Sequence, residues 1–292
     1  MAAGKRWTSM RAIVRVGAVA CVAMLAGCAT VPDRERLLAP AAGGQVMVQT
    51  AVCGTPAAAA TPAAAASSLP AAPLRVLSWN LHKGEDEGWD RDLARSAAEH
   101  DLLLLQEAVL TPELRAVVER AGMRWLMAGA FSIDGIERGV MIAARAAPVA
   151  GCTLRSFEPL FPVPKSAMVV RYRLASGETV AVANLHGINF TLGLGRFTEQ
   201  IRAVAEELKR HAGPVVFGGD FNTWSEQRHE VMLAVARELG LTPVVLTPDG
   251  RRRHFGQLLD HFFVRGLTVR AATSPEVKSS DHNPILVTLV HP

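Results

Sequence analysis

The rhythm of apolar and polar positions divides the chain into three stretches. Val16 to Leu25 is a short apolar run behind a basic start, too short to span a bilayer stably. Residues 28–73 are rich in Ala and Pro, including Ala57–Ala60 and Ala63–Ala66. They offer few large apolar groups to offset the entropy of ordering, so they read as a tether, with one strand-like alternation around Gln45–Val52. From Leu74 to the C-terminus the pattern is that of a folded body. Short apolar runs predict strands at Leu74–Trp79, Asp101–Gln106, Val140–Ala144, Ala167–Arg173, Thr179–Leu185 and Pro214–Phe217. Further strands are expected at Leu241–Leu246, Leu259–Val264, Leu267–Ala272 and Pro284–Val290. The run Asp101–Gln106 lacks polar alternation, which suits a strand buried on both faces. Helical spacing covers Asp90–His100, Arg196–His211 and a stretch near Glu226–Leu239, and Thr111-Pro112 opens another helix. Strands outnumber helices, and several need hairpin joins. That favours a mixed-sheet α/β body with outer helices over a doubly wound Rossmann fold.

Composition adds two exclusions. The 292 residues are 49% hydrophobic and 20% charged, enough to bury a core. Basic side chains number 31 against 27 acidic ones, but Lys5, Arg6, Arg11 and Arg15 all precede residue 28. The remainder is balanced, which argues against a protein that wraps a long polyanion. No uncharged apolar run of bilayer length follows residue 27, which excludes a multi-span helical membrane protein. No repeat, P-loop, Gly-x-Gly-x-x-Gly or zinc-type Cys spacing occurs.

At the N-terminus, the cations, the apolar run and then Leu25-Ala26-Gly27-Cys28 resemble the signal and lipobox of bacterial lipoproteins. The resemblance implies a signal peptide over residues 1–27, cleavage before Cys28, and a lipid on the Cys28 thiol. Two or three acyl chains would anchor the tether to a membrane firmly. Ala29, rather than Asp, after the Cys points to the outer membrane, with the body facing the periplasm or exterior. Cys53 and Cys152 are the other two cysteines of the mature chain; an oxidising compartment permits a disulfide, and two free thiols fit equally well.

Polar residues gather at the ends of the expected strands: Asn80, Gln106-Glu107, Asn184-Leu185-His186-Gly187, Gly218–Asn222, Asp260-His261 and Ser280–Pro284. Singly, each has an ordinary reading as a cap, a turn or a structural histidine. Together, Ser78-Trp79-Asn80, Gln106-Glu107, Gly219-Asp220-Phe221-Asn222 and Ser280-Asp281-His282, in this order, resemble the endonuclease/exonuclease/phosphatase superfamily. The likeness runs from Leu74 to residue 292. It implies a four-layer α/β sandwich of the DNase-I-like kind, two packed mixed sheets flanked by helices, as a catalytic domain over residues 74–292.

The resemblance implies a divalent-metal-dependent phosphoesterase acting through activated water. Asn80, Glu107 and Asp281 offer hard oxygen ligands suited to Mg²⁺ or Mn²⁺. Asp260 and His282 resemble a carboxylate–imidazole pair, and Asp220 orients the attacking water. Asn222 is expected to donate to developing negative charge, and His186 to serve the leaving oxygen. His186 points to diester cleavage, nuclease-like on DNA or RNA, while charge balance points to a small-molecule or lipid-headgroup phosphoester. A non-catalytic envelope lipoprotein is the reading of another class, and no protein partner is indicated. Glu137 is read mainly as a surface ion pair, with orientation of His186 as its alternative. His82 stands where some members place a second metal-binding Asp. Lys165 and Arg251–His254 read as solvated, with phosphate contact and anion steering as their respective alternatives.

Overall fold

A computed structural model describes residues 29–55, 67–159, 163–191 and 193–292. The expected signal peptide and Cys28 lie outside these residues. Among the described residues, no helix is long and apolar enough to cross a membrane.

The apolar runs build two sheets. The nine-stranded sheet contains β1 (Ala29–Thr30), β2 (Arg36–Pro40), β3 (Val46–Gln49), β4 (Leu74–Asn80), β5 (Leu102–Val109), β6 (Arg124–Ile133) and β7 (Ile136–Ala144). The six-stranded sheet takes β8 (Pro148–Phe157), β9 (Pro164–Arg173), β10 (Thr179–His186), β11 (Val215–Asp220) and β12 (Thr242–Pro243). A small separate ribbon pairs β13 (Arg253–His254) with β14 (Gln257–Leu258). β15 (Asp260–Arg265) returns to the second sheet, and β16 (Thr268–Thr273) and β17 (Ile285–Val290) complete the first. The orders are β16-β17-β4-β5-β7-β6-β2-β3, with β1 also on β6, and β12-β15-β11-β10-β9-β8. Parallel pairing of β4 with β5 and of β10 with β11, among antiparallel neighbours, makes both sheets mixed.

Each sheet buries both faces. Val76, Leu104 and Ile142 of the first sheet meet Met168, Val182 and Val216 of the second. Helices α1 (Trp89–Glu99) and α2 (Pro112–Arg120) cover the outer face of the first sheet over Leu77, Leu103 and Trp125. Helices α3 (Gly195–Lys209) and α4 (Glu226–Glu238) cover the second over Ala183, Phe217 and Phe263. The result is the expected four-layer α/β sandwich. Thr111 caps α2, its hydroxyl accepting from the Leu114 amide at 3.2 Å, with Pro112 in the first turn.

The tether reading needs correction. Arg36–Pro40 carries Leu37, Leu38 and Ala39, each about 1% exposed, and β2 pairs with both β3 and β6. Cys53 and Cys152 form a disulfide that fastens this segment to β8. Leu69 is fully buried and hydrogen-bonded to Arg173 and Ala175. Burying two leucines in a strand held between β6 and β3 outweighs the weak intrinsic order of their Ala-rich surroundings. The folded body therefore begins well before residue 74; residues 28 and 56–66 of the expected tether lie outside the described residues. Two long strands, β6 and β8, were absent from the pattern, and Leu241–Leu246 shrinks to the short β12.

Candidate active site

The strand ends meet at one rim, where β4, β5, β10, β11 and β15 deliver their last or first residues. Below it, a buried amide pair stitches the sheets together: Gln106 Nε2 donates to Asn184 Oδ1 at 2.6 Å, and Asn184 Nδ2 donates to the Leu105 and Met141 carbonyls. Close packing also requires glycine at one point. A Cβ on Gly219 would lie 2.1 Å from the Leu185 carbonyl oxygen, and its φ is +145°.

Asp220 is the hub. It is 2% exposed; Asn80 Nδ2 donates to its Oδ2 at 3.0 Å and the Asn222 amide to its Oδ1 at 2.9 Å. Burial raises its carboxyl, Asp260 adds to this, and His282 opposes it; the group is pushed up to about 7. His282 Nε2 is 4.0 Å and His186 Nε2 3.6 Å from Asp220 Oδ2. His282 Nδ1 lies 2.7 Å from Asp260 Oδ2. Burial disfavours the His282 cation, but Asp260, Asp220 and Asp281 outweigh it and lift the ring to about 10. Trp79 Nε1 on the His282 carbonyl and Ser280 Oγ on its amide fix this corner.

The opposite corner is built from cations. His186 Nε2 is 3.1 Å from Lys165 Nζ and 3.7 Å from Glu107 Oε1. Burial first and then Lys165 hold His186 well below the usual imidazole range, so the neutral ring accepts from the lysine. Burial alone would raise Glu107; the cations around it, Lys165 and Lys83 foremost, reverse that and hold it well below the usual carboxylate range. Glu107 occupies an irregular stretch of β5, between Leu105 and Ala108, with φ +49°. Such bulges re-aim a side chain out of the alternating pattern. Its Oε2 is buried without a hydrogen bond, 3.5 Å from Lys83 Nζ.

Eight sequence-predicted residues thus reach this rim, but three do so differently from expectation. Asn80 Oδ1 accepts from the His82 amide while its nitrogen holds Asp220. Asn222 Nδ2 is committed to the Gly187 carbonyl at 2.9 Å, with a longer 3.4 Å contact to Asp220. Asn222 therefore braces the hub rather than pointing a free donor at substrate. The Asp281 side chain is 55% exposed, and its one ion pair among the described residues is His82 Nε2 at 3.8 Å. Glu137 does not orient His186; it pairs with Arg36 at 2.7 Å. Lys165, read mainly as solvated with phosphate contact as its alternative, sits against His186, and Lys83 was missed as a site residue, because a lone lysine gives no periodic signal.

The donor set suits a hard divalent cation. Glu107 Oε2, buried without a hydrogen bond and faced by the Lys83 ammonium at 3.5 Å, and Asn80 Oδ1, which accepts from the His82 amide and keeps a second lone pair, are oxygens of the kind such an ion takes. Glu107 would hold it first, with Asn80 and Asp281 as further oxygen donors.

A family model described as the Endonuclease/Exonuclease/phosphatase family matches residues 77–282. A UPF0294 protein of Vibrio parahaemolyticus is 41% identical over 223 residues, covering 73% of this chain and 76% of the relative. A UPF0294 protein of Yersinia pestis is 40% identical over 220 residues, covering 75% and 85%. Among solved structures, the human Nocturnin catalytic domain with bound sulfate aligns at TM-score 0.61 and 18% identity, covering 77% of this chain and 97% of that one. A mannosyl-6-phosphatase of Bacteroides thetaiotaomicron aligns at TM-score 0.57 and 20% identity, covering 74% and 99%. These structures share the fold.

Proposed function

The chain belongs to the endonuclease/exonuclease/phosphatase family of phosphoester hydrolases, and from that premise we propose that it is a Mg²⁺- or Mn²⁺-dependent phosphodiesterase of the cell envelope. The observation that carries this reading is the approach of His186 and His282 to Asp220 at 3.6 and 4.0 Å, with Glu107, whose Oε2 is buried without a hydrogen bond, 3.7 Å from His186. When bound, a divalent ion neutralises phosphate charge and polarises the P–O bond. Asp220, held by Asn80 and Asn222, orients the attacking water and takes its proton; a group near 7 is matched to that task. His282, kept cationic by Asp260, faces the phosphoryl oxygens. On the far side, Lys165 and the neutral His186 meet the oxygen that leaves, and Lys165 supplies the positive charge there. Plasmid DNA, RNA, bis-p-nitrophenyl phosphate, p-nitrophenyl phosphate and sphingomyelin, each with Mg²⁺ or Mn²⁺, test it. Diester turnover abolished by EDTA is expected; turnover indifferent to EDTA contradicts the metal requirement.

The Cys53–Cys152 disulfide supports an exported protein, since such bonds persist in oxidising compartments. A lipid on Cys28 is part of this proposal, checked by mass spectrometry of membrane-fraction protein. One observation favours a second reading, a lipid-headgroup phosphoester. Ala29, the residue after Cys28, pairs with Ile133, two residues from Phe131 at the edge of the site. An anchor there brings the rim close to the membrane surface. Sphingomyelin turnover exceeding DNA and RNA turnover would select this reading.

A further inference from the structure

Beyond Glu107 and His186, on the side away from Asp260, the rim opens into a pocket that the roles above leave unused. One wall is a line of cross-strand neighbours: Arg138 on β7 stands opposite Val109 on β5 and Phe131 on β6. Residues directly opposite in adjacent strands share a face. Register irregularities fall just before this line in both ladders, between Leu105 and Ala108 and between Gly129 and Phe131. Lys83, Lys165 and Pro164 border the same pocket.

Arg138 is the unexplained member. Its neighbour Glu137 is engaged by Arg36. The Arg138 side chain has no hydrogen bond or ion pair among the described residues, and its Nε is buried without a partner. A buried guanidinium nitrogen left unpaired is costly, and its planar fork matches a phosphate or carboxylate. Lys83 and Lys165 are already engaged by Glu107 and His186. The pocket therefore holds three cations against one carboxylate, beside apolar Val109, Phe131 and Pro164, which strengthen charge interactions by excluding water.

We propose that this pocket is a subsite for a second anionic group of the substrate, held by Arg138. It is lined by His186 and Lys165, which the proposed function gives to the oxygen that leaves, so on that reading the second anion belongs to the leaving portion. The inference rests on the phosphoesterase reading and narrows it: the substrate is a phosphoester whose leaving portion carries another phosphate or carboxylate. A neighbouring phosphate of a polynucleotide and the second phosphate of a small molecule share that chemistry.

The test uses matched pairs with the full chain and Mn²⁺. Thymidylyl-thymidine is compared with the same dinucleotide phosphorylated at its termini, and fructose 6-phosphate with fructose 1,6-bisphosphate. The wild type is expected to favour the bis-anionic member of one pair at least tenfold in kcat/KM, and that pair identifies the source. In Arg138→Gln the preference falls about tenfold or more, and Arg138→Lys restores part of it. A preference of similar size in Arg138→Gln, or none in the wild type, overturns the subsite. Metal-free calorimetry with methylenebisphosphonate and methylphosphonate gives a readout independent of turnover. Arg138→Gln is expected to weaken the bisphosphonate about tenfold more than the monophosphonate; equal changes overturn the subsite. Arg138-dependent bisphosphonate binding without turnover of any substrate leaves the subsite standing and overturns the phosphoesterase reading instead.

Discussion

His282 and His186 flank one carboxylate oxygen of Asp220, at 4.0 and 3.6 Å, yet the protein holds them in opposite charge states. Both rings are buried, and burial pushes both toward the neutral form. Around His282 stand Asp260, Asp220 and Asp281, and they reverse the effect of burial. Around His186 stand Lys165, Lys83 and His282 itself, and they add to it, with Glu107 opposing. The neighbours therefore decide which histidine is a cation and which an acceptor, and the residue type alone does not. This gives the rim a polarity: carboxylate-backed positive charge at the His282 corner, lysine-backed positive charge at the His186 corner.

Removing the carboxylate behind His282 breaks the contrast most completely. Asp260→Asn is expected to lower kcat by about 10³–10⁴, as loss of an orienting carboxylate does in comparable triads. Its His282 should titrate well below 10 by NMR; a rate within tenfold of wild type would refute the pairing.

The second prediction isolates the rim from the N-terminal strands. Cys53→Ser with Cys152→Ser opens a link spanning 99 residues. It should cost about 2–4 kcal/mol of stability by urea denaturation. The titrations of both site histidines should stay in place, because no site residue touches the disulfide. A shifted His186 or His282 would mean that the two regions are coupled.

A smaller effect is expected at the other corner. Lys165→Met removes a cation facing His186, so the ring should titrate higher, toward its ordinary value, and kcat should fall about tenfold to a hundredfold. An unmoved His186 titration would remove Lys165 from the corner.

The smallest effect sharpens the comparison with a third ring. His261, next to Asp260 in the chain, is 6% exposed and bonds Thr223 Oγ1 at 2.7 Å instead of a carboxylate. Burial, with Arg251 and His229, lowers it to about 3. The unfolded chain therefore takes up this proton first, and stability contributed by the neutral ring is lost as pH falls from 6.5 toward 3. Between pH 6.5 and 5 the loss should be about 1–2 kcal/mol. Urea titrations of wild type and His261→Gln check it; an equal pH slope in both contradicts the assignment.

The layered fold was legible wherever a run was long and apolar. Leu102–Leu105 and Val215–Phe217 are buried on both faces and carry no polar interruption. The site was legible because its polar residues terminate those runs. What escaped was set by tertiary context. Leu37 and Leu38 are two apolar residues in an Ala-rich stretch, and only pairing with β6 and β3 makes them a strand. Lys165 follows Pro164 like any solvated lysine, and only the approach of β9 to β10 places it on His186. The Asn222 nitrogen could have faced substrate until the Gly187 carbonyl took it.

The proposed metal site is tested most directly by titrating Mn²⁺ into wild-type protein and into Glu107→Gln, with free Mn²⁺ followed by electron paramagnetic resonance. The expected result is saturable binding of a single ion in the wild type and at least hundredfold weaker binding in Glu107→Gln. Equal affinity in both proteins would contradict a metal held by the Glu107 carboxylate.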